Sequence, residues 1–128
     1  MLKFLRIRQL ATIEDLSLDL EGGFTVLTGE TGAGKSVIID SIRLVCGDRG
    51  SPDLVRAGSA EAAVEAIFTP PEETGDQDGL FPLGGEDVLL QRTVPRDGPG
   101  KAYCGGVLVP VRKLKEISPQ LWTLQREK

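Results

Sequence analysis

The chain has 128 residues, one domain's worth of sequence, so a single compact unit or part of one is expected. Its hydrophobic fraction of 40% and charged fraction of 27% are those of ordinary globular domains, which excludes a wholly disordered, collagenous or coiled-coil chain. A net charge of −4 excludes a general electrostatic attraction to nucleic acid.

The charge is unevenly spread. No Lys or Arg stands between Arg56 and Arg92, while Glu61, Glu65, Glu72, Glu73, Asp76, Asp78, Glu86 and Asp87 gather there. That region is a poor surface for DNA. Cations collect at Lys3, Arg6 and Arg8 and again at Arg112, Lys113, Lys115, Arg126 and Lys128, which makes either a basic edge where the termini meet or an ordinary solvated face. The two cysteines, Cys46 and Cys104, lack metal-ligand spacing and the chain has no histidine, so both are expected as small buried hydrophobes. No apolar run has the length of a signal peptide or a bilayer span, and a cytoplasmic protein with no membrane partner is expected.

Along the chain, Leu2 to Arg8 mixes apolar and basic residues as a half-buried strand, with Leu2, Phe4 and Ile7 set against Lys3, Arg6 and Arg8. Ile13 to Leu20 alternates more cleanly, placing Leu16, Leu18 and Leu20 on one face. After the turn Glu21-Gly22-Gly23, Phe24 to Thr28 reads as a buried strand. From Lys35 the apolar residues Ile38, Ile42, Val45 and Cys46 recur at helical spacing, and Gly47 ends that helix. Ser51-Pro52 breaks the chain before Ala62, Val64, Ala66 and Phe68 line one side of a second strand region.

Thr69 to Glu86, rich in proline and glycine, is expected as a long mobile loop. Val88 to Val94 is the next strand, and the turn Arg96-Asp97-Gly98-Pro99-Gly100 leads into a hairpin partner, Lys101 to Leu108, interrupted by Gly105-Gly106. Pro110 opens a helix with Val111, Leu114 and Ile117 on one stripe. Leu121 to Leu124 reads as a short strand.

Chemistry concentrates in Gly29-Glu30-Thr31-Gly32-Ala33-Gly34-Lys35-Ser36. Glycines at 29, 32 and 34 let the backbone approach a polyphosphate closely, so that successive N–H groups face inward as an anion nest. Lys35 adds a point charge toward the outer phosphates, and the Ser36 hydroxyl suits Mg²⁺. A predicted strand precedes the loop and a predicted helix follows it, the context such a loop needs. All eight residues are therefore candidates for binding a nucleoside triphosphate, ATP first, with Ser36 as the metal contact.

Binding is a smaller demand than hydrolysis. A second buried strand ending in an acidic residue would be needed to help hold Mg²⁺, and no run of four apolar residues followed by Asp or Glu comes after the loop. Leu83-Gly84-Gly85-Glu86 imitates the signature motif of ABC ATPases, but it precedes a strand where that motif opens a helix.

With its continuation Ile39-Asp40-Ser41-Ile42 and Gly47-Asp48-Arg49, the loop closely resembles the start of the RecN family of bacterial DNA repair proteins, relatives of SMC proteins. Leu54-Val55-Arg56-Ala57-Gly58, Val64-Glu65-Ala66-Ile67-Phe68, Leu90-Gln91-Arg92, Val107 to Pro110 and Leu114-Lys115-Glu116-Ile117 extend the resemblance over nearly the whole chain.

The resemblance implies an α/β P-loop NTPase: the β-rich N-terminal half of an ABC/SMC-type ATPase head, with a mixed sheet around the P-loop helix. It further implies that a coiled coil and a C-terminal half lie outside residues 1–128, that a second head closes over ATP and Mg²⁺ as a homodimer, and that the assembly meets DNA in double-strand break repair and recombination in the nucleoid. Such proteins carry, after their last strand, a glutamine for Mg²⁺ and the attacking water within a His-Gly-Gln-His-like stretch. Here Leu124-Gln125-Arg126-Glu127-Lys128 stands instead; Gln125 falls short of the matching position, which Glu127 occupies, so no catalytic residue is assigned.

Two other readings stay open. A small self-contained P-loop kinase would need a lid and phosphate-clamping cations, which the stretch from Arg56 to Arg92 does not offer. A non-catalytic module that uses ATP only to order an interaction surface would look the same at this level.

Overall fold

The computed structural model describes residues 2–19, 32–69 and 87–117, with the backbone alone for Gly32–Lys35. Strands β1 (Leu2–Leu10) and β2 (Ile13–Asp19) are followed by helix α1 (Gly32–Val45), a 3₁₀ turn at Pro52–Leu54, strands β3 (Glu61–Phe68), β4 (Val88–Pro95), β5 (Lys101–Cys104) and β6 (Val107–Val109), and helix α2 over 111–117. The strands form one sheet in the order β2-β1-β3-β4-β5-β6, and every pairing among the described residues is antiparallel. The sheet is β-rich, as expected, and among the described residues there are none of the alternating β-α units with parallel strands that a small kinase would bring. The strands expected at 24–28 and 121–124 and the loop over 70–86 lie outside the described residues.

Period-two alternation decides the central strands. Ala62, Val64, Ala66 and Phe68 of β3 are buried, and so are Val88, Leu90, Arg92 and Val94 of β4. The register sets Ala66 opposite Leu90 and Phe68 opposite Val88, so one face of the sheet is a continuous apolar floor. Ile38, Leu44 and Val45 of α1 and Leu114 and Ile117 of α2 belong to the same core. Each large side chain so buried contributes roughly 1.5–3 kcal/mol from removal of apolar surface. Alanines at 62 and 66 keep the floor low where α1 packs against β3.

Strand β1 departs from simple alternation. Its buried residues are Leu2, Leu5, Ile7 and Leu10, whereas Phe4, expected beside Leu2, turns to the other face. A register shift between Leu2 and Phe4 and the left-handed φ of 55° at Gln9 each insert a residue into the period. The second irregularity is tied down: the Gln9 carbonyl accepts from the Arg56 N–H at 2.8 Å, and the Ser59 hydroxyl donates to Gln9 Oε1 at 2.8 Å.

The interruption expected at Gly105-Gly106 in the hairpin partner from Lys101 to Leu108 is the turn of a second hairpin. Gly105 and Gly106 have φ of 61° and 86°, the pair of left-handed residues that a tight two-residue hairpin turn needs, so β6 folds back on β5 with Cys104 opposite Val107.

Cys104 is fully enclosed, and burial pushes its thiol up to about 11. Very little thiolate then exists at pH 8, and thiolate is the reactive form. We expect iodoacetamide to leave Cys104 unmodified in the native chain and to label it in urea. Mass-spectrometric mapping that finds native Cys104 alkylated at the unfolded rate would contradict this packing.

Candidate nucleotide site at the start of the first helix

Helix α1 begins at Gly32, inside the glycine-rich motif and before the Lys35 start expected from periodicity. Its first turn is therefore Gly32–Lys35, whose N–H groups have no intrahelical acceptor and sit at the positive end of the helix dipole. That turn contains no acidic side chain. Ser36 follows as an exposed residue, while Ile38, Ser41, Leu44 and Val45 turn into the core. The buried Ser41 hydroxyl is satisfied by donating to the Ile38 carbonyl at 2.6 Å. The stripe differs from the expected one by including Ser41 and Leu44, with Ile42 and Cys46 at its margin.

Of the sequence-predicted site residues, Gly29, Glu30 and Thr31 lie outside the described residues, and Gly32, Ala33, Gly34 and Lys35 are described by their backbone alone. Gln125 and Glu127 lie outside them too.

At its far end α1 closes with a Schellman turn. The Gly47 N–H donates to the Leu44 carbonyl at 3.1 Å and the Asp48 N–H to the Arg43 carbonyl at 3.0 Å, with Gly47 at φ 102°. Against this end lies a residue that sequence reasoning did not single out. Arg92, on β4, is 5% exposed, and its Nη1 donates to the carbonyls of Leu44 and Asp48, each at 2.8 Å. Burial lowers the proton affinity of its guanidinium, and Asp48 opposes that effect. A signal existed: Arg92 occupies the buried register of Val88, Leu90 and Val94, where a charge demands buried partners.

The cations of β1 are matched by carboxylates. Arg6 pairs with Asp15 at 2.9 Å, Arg8 with Glu65 at 3.5 Å and Lys3 with Asp87 at 3.5 Å. The hydrogen bond from Arg6 holds the Asp15 carboxyl below its ordinary range, and the Thr69 hydroxyl, with Lys3, does the same for Asp87. This part of the surface is an ion-paired solvated face, with Lys113 and Glu116 paired similarly on α2 at 3.6 Å. No helix among the described residues is long and apolar enough to cross a membrane.

A family model described as AAA domain matches residues 5–79, more than half of the chain and all of the glycine-rich motif, and the chain belongs to that family. Within it, the chain is RecN-like. It is 40% identical over 124 residues to the DNA repair protein RecN of Bacillus subtilis, covering 91% of this chain and 21% of that protein. It is also 42% identical over 112 residues to RecN of Deinococcus radiodurans, covering 88% of this chain and 18% of that protein. The chain thus spans about a fifth of the length of the curated relatives it matches.

Solved structures agree on the fold. A structure of an SMC ATPase superimposes with a TM-score of 0.69 at 23% identity, over 95% of this chain and 77% of that one. The recombination mediator protein RecF superimposes with a TM-score of 0.66 at 12% identity, over 89% of this chain and 29% of that one. At these identities the likeness establishes a shared fold, that of P-loop ATPase heads.

Proposed function

We propose that this chain is the ATP-binding N-terminal part of a RecN-like ATPase head that serves DNA double-strand break repair and recombination. The observation that carries the reading is the start of α1 within Gly29–Ser36: a helix N-terminus made of Gly32–Lys35, free of acidic side chains in its first turn and held to the sheet by its buried stripe. Anions are favoured at such a terminus by the unpaired N–H groups and by the helix dipole. Gly29, Glu30, Thr31, Gly32, Ala33 and Gly34 would wrap the phosphates, Lys35 would reach the outer ones, and Ser36, exposed on α1, would hold Mg²⁺. Mg²⁺ held there would supply charge neutralisation for the polyphosphate.

Hydrolysis is a separate matter. Phosphoryl transfer depends on positioning the attacking water and the metal, and Ser36 is the one metal contact the motif supplies. We infer that a C-terminal head half and a second head complete the site, and that DNA meets the full-length assembly in the nucleoid. A titration calorimeter should register saturable binding of ATP with Mg²⁺ to the 128-residue chain, while phosphate release stays at background at any protein concentration, with or without DNA. Absence of binding would sink the assignment. Robust turnover that vanishes in Lys35→Ala would replace it with a self-contained enzyme.

A further inference from the structure

Among the described residues Arg92 is the only charged side chain that is buried. In the sheet it stands in a row with Ile7, Val64 and Ala102, all enclosed and apolar. An apolar residue in that row would complete the core without desolvating a charge, and Arg92 even leaves its buried Nε without a hydrogen-bond partner. What the guanidinium gains is directional. One nitrogen, Nη1, takes the carbonyl of Leu44 in the last turn of α1 and that of Asp48 just beyond the Gly47 turn. Gly50 closes over the same group: a Cβ there would lie 3.2 Å from Arg92 Nη2 and 2.9 Å from a Val94 methyl.

Apolar packing by Ile38, Leu44 and Val45 keeps α1 on the sheet but is non-directional, so it resists separation better than sliding or rotation. The planar guanidinium supplies what packing lacks, since its donors point in fixed directions. It also places positive charge at the negative end of the helix dipole. Because α1 is a rod of 14 residues, fixing one end fixes the other. At about 1.5 Å per residue that other end, the glycine-rich turn, is about 20 Å away.

We propose that Arg92 is a positioning residue for the nucleotide loop: by gripping the C-terminal end of α1 from strand β4, it sets where the phosphate-binding turn stands relative to the sheet. The proposal rests on reading Gly29–Ser36 as a nucleotide site. Groups remote from a site alter its affinity by factors on the order of ten, and Arg92→Ala is expected to weaken Mg–ATP binding by about that much while the chain stays folded.

The test is a titration of the 128-residue chain with a fluorescent ATP analogue, at a temperature where circular dichroism shows each variant folded. A void of about 70 Å³ lined by Gly50, Pro52, Thr93 and Val94 already adjoins Arg92, so truncation leaves room for a small cation. Millimolar methylguanidinium should then restore part of the affinity of Arg92→Ala, and equal methylammonium should not. Cys104→Ala, a core truncation in β5, serves as the control for stability alone. Wild-type affinity in a folded Arg92→Ala, or a loss matched by Cys104→Ala and unmoved by methylguanidinium, would overturn the proposal. Should Arg92→Ala not fold, Arg92→Lys takes its place, with weakened binding expected and unchanged binding fatal. A wild-type chain that binds no ATP is a different result, since it removes the nucleotide reading itself.

Discussion

Lys35→Ala is expected to lower the affinity of the chain for Mg–ATP by a factor on the order of ten to a hundred and to leave the thermal unfolding midpoint unchanged. The factor follows from the loss of one charge-assisted contact, about 1.5–3 kcal/mol. Fold and binding separate cleanly here because α1 is held by Ile38, Leu44, Val45 and the Gly47 turn, all C-terminal to the substitution. Alanine is also the best helix former, so the first turn of α1 survives. The backbone N–H groups of the turn remain and retain part of the binding. Titration of both proteins with a labelled ATP analogue measures the ratio, and a ratio of one would mean that the loop is a glycine-rich turn with no nucleotide.

Gly47→Ala has the largest expected effect on stability. At φ 102° an L side chain is strained, and an added Cβ would stand 2.5 Å from the Lys115 backbone nitrogen and 2.9 Å from its Cα. The left-handed conformation alone costs about 1–2 kcal/mol, and overpacking against a backbone that must move adds about 1–3. A loss of about 3 kcal/mol or more in urea unfolding is expected. Gly58→Ala provides the comparison, because Gly58 has a similar φ of 88° but nothing within 4 Å of its added Cβ. That variant should lose only the conformational part. Equal losses for the two would show that the close approach of α2 to the end of α1 does not contribute.

Much of this molecule was legible in one dimension. The alternation of Ala62, Val64, Ala66 and Phe68, and of Val88, Leu90 and Val94, predicts strands that bury those same residues. The helical spacing after Lys35 with Gly47 at its end, and Pro110 before Val111, Leu114 and Ile117, predicts the two helices, α1 starting three residues earlier, at Gly32. The proposed nucleotide loop Gly29–Ser36 is likewise a reading of consecutive residues, because the backbone freedom an anion nest requires is a local property.

Other features were decided only when distant segments met. Which residues of β1 face the core depends on an irregularity against β3 and on the left-handed Gln9, which the 54–59 segment holds in place. The break at Gly105-Gly106 makes two strands because β6 can pair with β5 and so satisfy its backbone. Arg92 carries the lesson furthest. In the sequence it is the one charge in an alternating strand, a position that predicts strain or exposure. Its meaning comes from Leu44 and Asp48, more than forty residues earlier, whose carbonyls reach it only after α1 has packed on the sheet. Local patterns record what the backbone and solvent demand of neighbouring residues, whereas a buried charge is explained by partners that only the folded chain brings within hydrogen-bonding distance.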